Sequence, residues 1–205
     1  MDRVALKTLA KEQIKGKIGI LAVILLIYLG INVVASFIPV IGGFASAIFL
    51  TPSLSLSITM IFLKISDKKE IAAGDIFEGF YDFWSAFKLT WLTGLFTFLW
   101  SLLLIIPGII KSYSYSMAIF ILAENKGMSA LEAINKSKKM MEGHKMDFFV
   151  LQLSFLGWIL LTYVTFGIAL FWVWPYMYTS YANFYKSLKS DAAIDISAED
   201  IQIED

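Results

Sequence analysis

Few residues of this 205-residue chain combine types and spacing that could support chemistry or ligand binding. The most polar stretch within an apolar segment is residues 111–116, in which three serines alternate with tyrosines after Lys111. Serines at every second position cannot share one helix face, so some of them must point into a bundle or a cavity. We therefore take Lys111, Tyr113 and Tyr115 as candidate ligand-binding residues. The alternative is that the hydroxyls bond to their own helix or to a neighbouring helix.

His144 is the only histidine and is the fourth candidate ligand-binding residue, with pH sensing as a role that its ring could perform. The alternative is a histidine that lies near lipid head groups. One imidazole cannot hold a metal ion by itself, and the chain has no cysteine to supply thiolates. The sequence predicts no metal site and no cofactor.

Motifs for hydrolytic or phosphate chemistry are missing, and no carboxylate lies within the long apolar segments. We therefore predict no catalytic residues and no enzymatic activity. The least favoured alternative is a lipid-modifying enzyme that uses His144 and Glu142, and full activity of a His144→Ala variant would exclude it.

The composition is that of a membrane protein. Hydrophobic residues make up 58% of the chain and aromatic residues 16%, and the mean hydropathy is +0.71, which exceeds what a soluble core needs to bury. The 17 basic and 17 acidic residues cancel, so the chain has no global field of the kind that holds a nucleic acid. We predict membrane lipids as partners and no nucleic acid.

Charged residues bound three long apolar stretches, and each stretch has proline or glycine near its middle. Residues 18–63 contain no charge, and each stretch is long enough for about two membrane helices. The breakers are Pro39, Gly42 and Gly43 in the first stretch, Pro107 and Gly108 in the second, and Gly167 in the third. The predicted spans are residues 18–38, 41–63, 84–106, 108–124, 147–165 and 168–187, with a kink or break at Pro175. A re-entrant loop is the alternative for the third and fourth spans.

A short amphipathic segment with helical spacing precedes each hairpin, beginning near Val4, Asp75 and Ser129. The fold class is therefore all-α: a polytopic membrane protein of six transmembrane helices in three hairpins, each preceded by an interfacial helix, over residues 1–188. An interfacial helix and then a hairpin follow in the same order and orientation in all three units, which suggests a parallel repeat. The alternative is that any six-span protein with long inner and short outer loops has this pattern.

The distribution of lysine and arginine predicts on which side of the membrane the two termini lie. Both residue types concentrate before the first span, between the second and third spans, and between the fourth and fifth spans. Because basic residues favour the cytoplasmic side, we predict a plasma-membrane protein with both termini in the cytoplasm. Residues 189–205 form an acidic tail that we expect to be disordered and cytoplasmic. The tail could bind a protein partner through its isoleucines; the alternative is an inert tail.

Five segments of the chain are similar to a bacterial membrane family. They are residues 99–118, which contain Pro107 and Gly108, and residues 137–145, 153–158, 165–168 and 175–176. With these motifs in order up to about Leu188, the chain resembles domain-of-unknown-function family nine hundred and seventy-five. A looser likeness, in fold only, is to the membrane domain of some glycerophosphodiester phosphodiesterases, whose catalytic domain has no counterpart here. The resemblance implies a topology but no activity.

The favoured functional hypothesis is a non-enzymatic membrane protein of the bacterial envelope that binds lipid or a partner. The alternative is a small-molecule or lipid transporter with a polar cavity near the fourth span. A polar cavity bounded by Lys111, Tyr113 or Tyr115 would favour the transporter, whereas a solid bundle core there would favour lipid or partner binding. Nothing in the sequence sets an oligomeric state.

Overall fold

The computed structural model describes residues 2–37 and 46–203, with side-chain environments for residues 2–37 and 48–191. All regular structure in these ranges is helical. The prediction of an all-α chain is thus confirmed. The turn predicted at Pro39, Gly42 and Gly43 lies outside the described residues.

Ten α-helices, a π-helical turn and a 3-10 helix make up the described part of the chain. The π-helical turn (Ser46–Leu50) leads into α3, and the 3-10 helix (Ala73–Phe80) precedes α4. In chain order the α-helices are α1 (Arg3–Ile14), α2 (Ile18–Ser36), α3 (Thr51–Ser66), α4 (Phe83–Leu103), α5 (Ile105–Tyr115), α6 (Ala118–Glu124), α7 (Ala130–Met140), α8 (Lys145–Leu153), α9 (Leu156–Val164) and α10 (Leu170–Ile203).

Five helical segments of the described chain are long and apolar enough to cross a bilayer, as in a multi-pass membrane protein: Ile18–Ser36, Ile48–Ser66, Phe83–Leu103, Ile105–Glu124 and Lys145–Val164. They correspond to the first five predicted spans. The sixth predicted span, residues 168–187, lies within α10 and is not in this group. Its proline, asparagine and many tyrosines lower its hydropathy. The six-span arrangement stays a prediction.

The position of α10 explains why its surface is less apolar. The helix packs against α1, α2, α3, α7 and α9. Since many of its side chains contact protein, α10 does not need an apolar surface on all sides. Its buried residues are Val173, Pro175, Tyr176, Thr179, Ser180, Ala182, Asn183, Phe184, Tyr185 and Leu188.

The helix α10 also differs from the sequence prediction in its length. It continues through Pro175, so no break occurs there, and it extends to Ile203 into the acidic tail that we expected to be disordered. Residues 192–203 contain no glycine or proline to end a helix, and their alanines favour helical structure.

The membrane helices divide into central and peripheral ones. In the segment that contains α3, 67% of the residues are buried within the protein, against 11% for α4. Leu54, Leu56 and Phe62 of α3 are fully or almost fully enclosed. The core therefore lies around α3 and α10, and α4 presents most of its surface outward.

The turn between α4 and α5 lies three residues before the predicted position. Leu104 is extended, with φ −160° and ψ 140°, and separates the two helices. Pro107 lies in the first turn of α5, where a proline costs no backbone hydrogen bond. Gly108 allows close packing instead, because a Cβ atom there would lie 2.1 Å from Oγ of Ser101 on α4.

Two of the apolar segments are interrupted, although the sequence predicts continuous helices. The first interruption, at Ser116–Met117, separates α5 from α6, and the second, at Ser154–Phe155, separates α8 from α9. The two spans are therefore pairs of short helices joined by a turn in the middle of the apolar segment.

The segments that precede the hairpins are helical, but the second differs from its prediction. Residues 75–87 do not form one helix: they are divided between the 3-10 helix and the first turn of α4. The backbone N–H of Gly79 donates to Oγ of Ser57 on α3 at 2.8 Å. A Cβ at Gly79 would lie 2.2 Å from the carbonyl oxygen of Ser53. Close docking on α3 thus ends the second segment early.

Candidate functional site

The structure does not bring the four candidate residues together. Nζ of Lys111 lies 4.7 Å from the ring centroid of Trp100. The hydroxyl of Tyr113 donates to Oε1 of Gln152 at 2.9 Å, and its ring meets the ring of Phe148 edge-on. Because Tyr113 and Tyr115 are two residues apart on a helix, their side chains leave different faces.

Tyr115 lines a cavity of about 630 Å³ between α3, α4 and the α5–α6 segment. Eight hydroxyl-bearing residues face this space, and we call it the hydroxyl cavity. Lys111 and Tyr113 are not among its walls. The hydroxyl-bearing residues are Ser55, Thr90, Thr93, Thr97, Ser101, Ser112, Tyr115 and Ser116, and the remaining walls are Leu89, Gly94, Phe98, Ala118 and Ile119.

His144 lies at the start of α8, and its Nδ1 atom is 3.4 Å from Oδ2 of Asp147 one turn later. Both side chains are more than a third exposed. In the described ranges, no three histidine, cysteine, aspartate or glutamate residues are close enough to hold a metal ion. His144 is thus a half-exposed residue at a helix start, and its ring lies beside the carboxylate of Asp147.

A different concave surface lies between α1, the start of α2, α9 and α10. This cavity of about 540 Å³ has apolar and aromatic walls and two lysines. Both lysines are exposed. We call it the basic groove. It is lined by Lys11, Ile14, Lys15, Ile18, Trp158, Leu161, Ala169, Trp172, Val173 and Tyr176.

The position of α1 is set by buried contacts with α10. Leu6, Ala10 and Ile14 recur at helical spacing and are buried. Nδ2 of Asn183, which is 4% exposed, donates to Oε1 of Gln13 at 2.8 Å and to the carbonyl oxygen of Leu6 at 3.4 Å. The apolar face of α1 therefore faces α10, which leaves its lysines on the other faces.

Three of these lysines form a row along α1, because Lys7, Lys11 and Lys15 are four residues apart. None of them forms an ion pair with a carboxylate in the part of the chain that the structure describes. Nζ of Lys11 lies 5.4 Å from the ring centroid of Tyr176. The row is a local excess of positive charge beside the apolar walls.

Lys7 connects this row to the second interruption. Its Nζ donates to Oγ and to the carbonyl oxygen of Ser154, at 3.2 and 3.4 Å, and lies 4.4 Å from the ring centroid of Phe155. Desolvation by burial lowers the pKa of Lys7, and the positive charge of Lys11 lowers it further. The interruption leaves the carbonyl group of Ser154 without a helical partner. The ammonium group of Lys7 bonds to this carbonyl group, although burial disfavours its charge.

A buried hydroxyl occupies the equivalent place at the first interruption. Ser137 of α7 is fully buried, and its Oγ donates to the carbonyl oxygen of Ser114 at 2.8 Å. The same Oγ accepts from the backbone N–H of Met117 at 3.2 Å. One side chain from α7 therefore satisfies backbone groups on both sides of the first interruption.

A family model matches the chain over residues 1–110 and 101–192, which together cover nearly all of it. Its description is protein of unknown function (DUF975). The chain belongs to the DUF975 family. No curated protein and no solved structure matches it. The looser likeness of this DUF975 protein to the membrane domain of glycerophosphodiester phosphodiesterases stays a prediction.

Several residues of the DUF975 protein's cavities were not candidates from the sequence. The lysines of α1 have a visible signal in the sequence, since Lys7, Lys11 and Lys15 recur at intervals of four residues. Trp158 and Trp172 have none, because they come from helices about 150 residues away and resemble ordinary interface aromatics. The hydroxyls of α4 were also missed: Thr90, Thr93, Thr97 and Ser101 lie on one face, and this spacing could have been noticed.

Proposed function

We propose that this protein is a non-enzymatic protein of the bacterial cell membrane that binds an anionic phospholipid in the basic groove. The observation that carries the proposal is the combination of two exposed, unpaired lysines with apolar walls in one concave surface. A phospholipid has the same combination, since its phosphate is charged and its acyl chains are apolar.

Charge complementarity supports an anionic head group. Lys11 and Lys15 have no acidic partner within the described ranges, so a phosphate would not have to displace one. A lysine near an anionic membrane surface contributes about 1 kcal/mol of binding free energy. Lys7 lies one turn further along the same row and adds positive potential.

The other walls suit an acyl chain. Leu161, Val173 and Ile18 supply aliphatic surface, and Trp158 and Trp172 supply flat aromatic surface of the kind that lies at membrane interfaces. None of the ten lining residues is a carboxylate, a histidine or a hydroxyl nucleophile of the serine or threonine type. The groove therefore supports binding better than catalysis.

The test compares lipid retention by the wild-type protein and by a double variant, Lys11→Gln with Lys15→Gln. Both proteins are purified and exchanged into nanodiscs that contain phosphatidylglycerol and phosphatidylcholine, and retained lipid is counted by native mass spectrometry. We expect the preference for phosphatidylglycerol to fall by about thirtyfold in the double variant, which is the loss of two lysines at about 1 kcal/mol each.

A matched control separates a site from general surface charge. Lys136→Gln with Lys139→Gln removes two exposed lysines from α7 and gives the same net charge. This control variant should retain the wild-type preference. An equal loss in both double variants, or no preference in the wild-type protein, would overturn the proposal.

The orientation that fits this function places both termini in the cytoplasm, where anionic lipids and the basic segments would meet. Five apolar segments together with α10 would give an even number of crossings. The chain has no cysteine, so an introduced cysteine is unique. Single cysteines at Glu12 and at Asp191 should both resist a membrane-impermeant maleimide in intact cells and react after lysis. Labelling of either one in intact cells would contradict this orientation.

Transport of a small molecule or a lipid is the second candidate function, and the hydroxyl cavity beside Tyr115 is the observation that favours it. A protein partner for the acidic tail is compatible with both candidates. Reconstituted vesicles that move fluorescent lipid between leaflets faster than protein-free vesicles would support transport. Equal rates would leave lipid binding as the function and exclude lipid transport.

A further inference from the structure

The hydroxyl cavity is a second site, separate from the basic groove, and we propose that it binds an uncharged polyhydroxylated group such as a sugar or glycerol moiety. Its volume of about 630 Å³ lies within the range of about 300–1,000 Å³ of small-molecule sites. No described residue lines both cavities. The proposal therefore does not depend on phospholipid binding in the groove.

The hydroxyls on α4 are concentrated on the cavity side. Of the five serines and threonines of this helix, four line the cavity, and only Ser85 does not. Residues 90, 93, 97 and 101 recur at spacings of three and four, so they share one helix face. The rest of α4 is largely apolar and exposed, with Trp91, Leu95 and Leu102 among its outward residues. This distribution gives α4 one polar face that looks into a cavity.

The existing hydrogen bonds of the cavity's hydroxyl groups determine which ligand groups they can bind. Four of its hydroxyls donate their only proton to a carbonyl oxygen of their own helix at 2.7–2.8 Å: Thr93, Ser101, Ser112 and Ser116. A hydroxyl oxygen that has donated its proton still has lone pairs that can accept. The cavity is thus rich in acceptors, and it favours a ligand that brings several O–H donors.

Tyr115 supplies the complementary donor. The residue is 94% buried and faces the cavity. The indole of Trp100 is the side chain within hydrogen-bonding reach of its hydroxyl among the described residues. An indole N–H can donate but cannot accept, so the phenolic proton is left for another acceptor. A ligand hydroxyl both donates and accepts, and it can therefore bond to Tyr115 and to the α4 oxygens at once.

Charge selects against other ligand classes. None of the described residues that line the cavity is acidic, basic or histidine. A phosphate or carboxylate would have no counter-charge among these walls, because Lys138, whose Nζ lies 5.7 Å from the ring centroid of Tyr115, does not line the cavity. An ammonium group would have no carboxylate there, so either ion would be costly in a site at membrane depth. Leu89, Phe98 and Ile119 add apolar surface for the carbon skeleton of a sugar or for the chain of a lipid.

The experiment has two arms, because a polyhydroxylated group could arrive as a free solute or as a lipid head group. In the lipid arm, nanodiscs contain monoglucosyl diacylglycerol and diacylglycerol with the same chains, and native mass spectrometry counts the lipid retained by the full-length protein. In the solute arm, D-glucose is titrated into protein in a detergent without sugar, and the thermal unfolding midpoint is followed.

The variants remove oxygens while keeping volume: Tyr115→Phe alone, and Thr93→Val with Thr97→Val. The matched control is Thr162→Val on α9, whose hydroxyl bonds to the carbonyl oxygen of Ile159 and lies outside the cavity. We expect the preference for the glucosyl lipid, or the shift caused by glucose, to fall by about fivefold for each hydrogen bond removed. The control should match the wild-type protein.

The outcomes separate the two sources and the two sites. Retention of the glucosyl lipid without a glucose shift identifies a head-group site, and the reverse identifies a solute site. The proposal is overturned if neither probe binds, if the cavity variants bind as well as the control, or if Lys11→Gln with Lys15→Gln abolishes the preference. A failure of phosphatidylglycerol retention alone would concern the basic groove only.

Discussion

The two interrupted spans solve the same backbone problem with opposite chemistry. At Ser116–Met117 a neutral hydroxyl from α7, Ser137, is fully buried and bridges both sides of the turn. At Ser154–Phe155 a lysine from α1, Lys7, reaches the carbonyl oxygen of Ser154 and remains only half-buried. In both cases the partner comes from a short helix, α7 or α1, that precedes a long apolar segment.

The difference indicates different roles for the two interruptions. A buried hydroxyl that uses both its proton and a lone pair has little left for another partner, so the first interruption is part of the rigid core. A half-buried ammonium group has spare donors and lies in a row of lysines beside the basic groove. The second interruption is therefore the one that a bound anion can influence.

The largest effect is expected at the first interruption. Replacing Ser137 with alanine leaves the carbonyl oxygen of Ser114 and the N–H of Met117 without their buried partner, which should lower the free energy of unfolding by about 1–3 kcal/mol. Denaturant unfolding in micelles measures the change. Ser112→Ala, which removes an exposed hydroxyl from α5, should cost less than about 0.5 kcal/mol. Similar costs for the two variants would contradict the structural role of Ser137.

A smaller loss of stability is expected when a substitution weakens the contact between α1 and α10. Asn183→Leu keeps the volume but removes both hydrogen bonds to α1, so the free energy of unfolding should fall by about 1–2 kcal/mol. Hydrogen exchange should become faster in residues 3–14 and stay unchanged in residues 130–140. Faster exchange in both segments would mean that the two interruptions are coupled and that the comparison fails.

Removal of the charged contact itself should cost less again. Lys7→Met keeps an unbranched side chain of similar length, and it removes both the bonds to Ser154 and the positive charge over the ring of Phe155. We expect a loss of about 0.5–1 kcal/mol, because solvent reaches the ammonium group and screens it. The same unfolding assay applies. A loss as large as that of Ser137→Ala would show that the half-buried lysine is as structural as the buried serine.

The smallest expected effect is a change of the free energy of unfolding with pH. Because the folded state lowers the pKa of Lys7 below its ordinary value of 10.5, the unfolded state holds this proton more tightly. At neutral pH the folded state is therefore less stable with the ammonium form of Lys7 than it would be with the neutral amine, and stability increases as the pH rises through the folded pKa toward 10.5. The unfolding free energy of the wild-type protein should rise relative to that of Lys7→Met over this interval. A difference that stays constant with pH would contradict the lowered pKa.

The spans were largely predictable from sequence, since charges and apolar length determine where a helix can cross a bilayer. The all-helical class and the turn at Gly167 follow from those rules, and Gly167 has the positive φ of 87° that such a turn uses. The turn at Leu104 was placed wrongly because Pro107 can end one helix or begin the next, and only the contact with Ser101 decides.

The interruptions were not predictable in the same way. Neither interruption contains a glycine or a proline, and the groups that satisfy the broken backbone come from residues 20 to 147 positions away. The four candidate ligand-binding residues are dispersed in the structure for a related reason. Alternate residues such as Tyr113 and Tyr115 are neighbours in sequence but leave different faces of a helix, and tertiary packing then separates them.

The contacts of α1 with late segments of the described chain also constrain the order of folding during synthesis. Leu6 meets Asn183 across 177 positions and Lys7 meets Ser154 across 147, so α1 reaches these partners only after the ribosome has synthesised most of the chain. Its earlier partner is α3, where Nε2 of Gln13 donates to the carbonyl oxygen of Ser66 at 3.0 Å. During that period the face of α1 that packs on α10 remains uncovered. Packing of α10 then completes the bundle late, and a nascent chain arrested before residue 183 would hold α1 through α3 and not through α10.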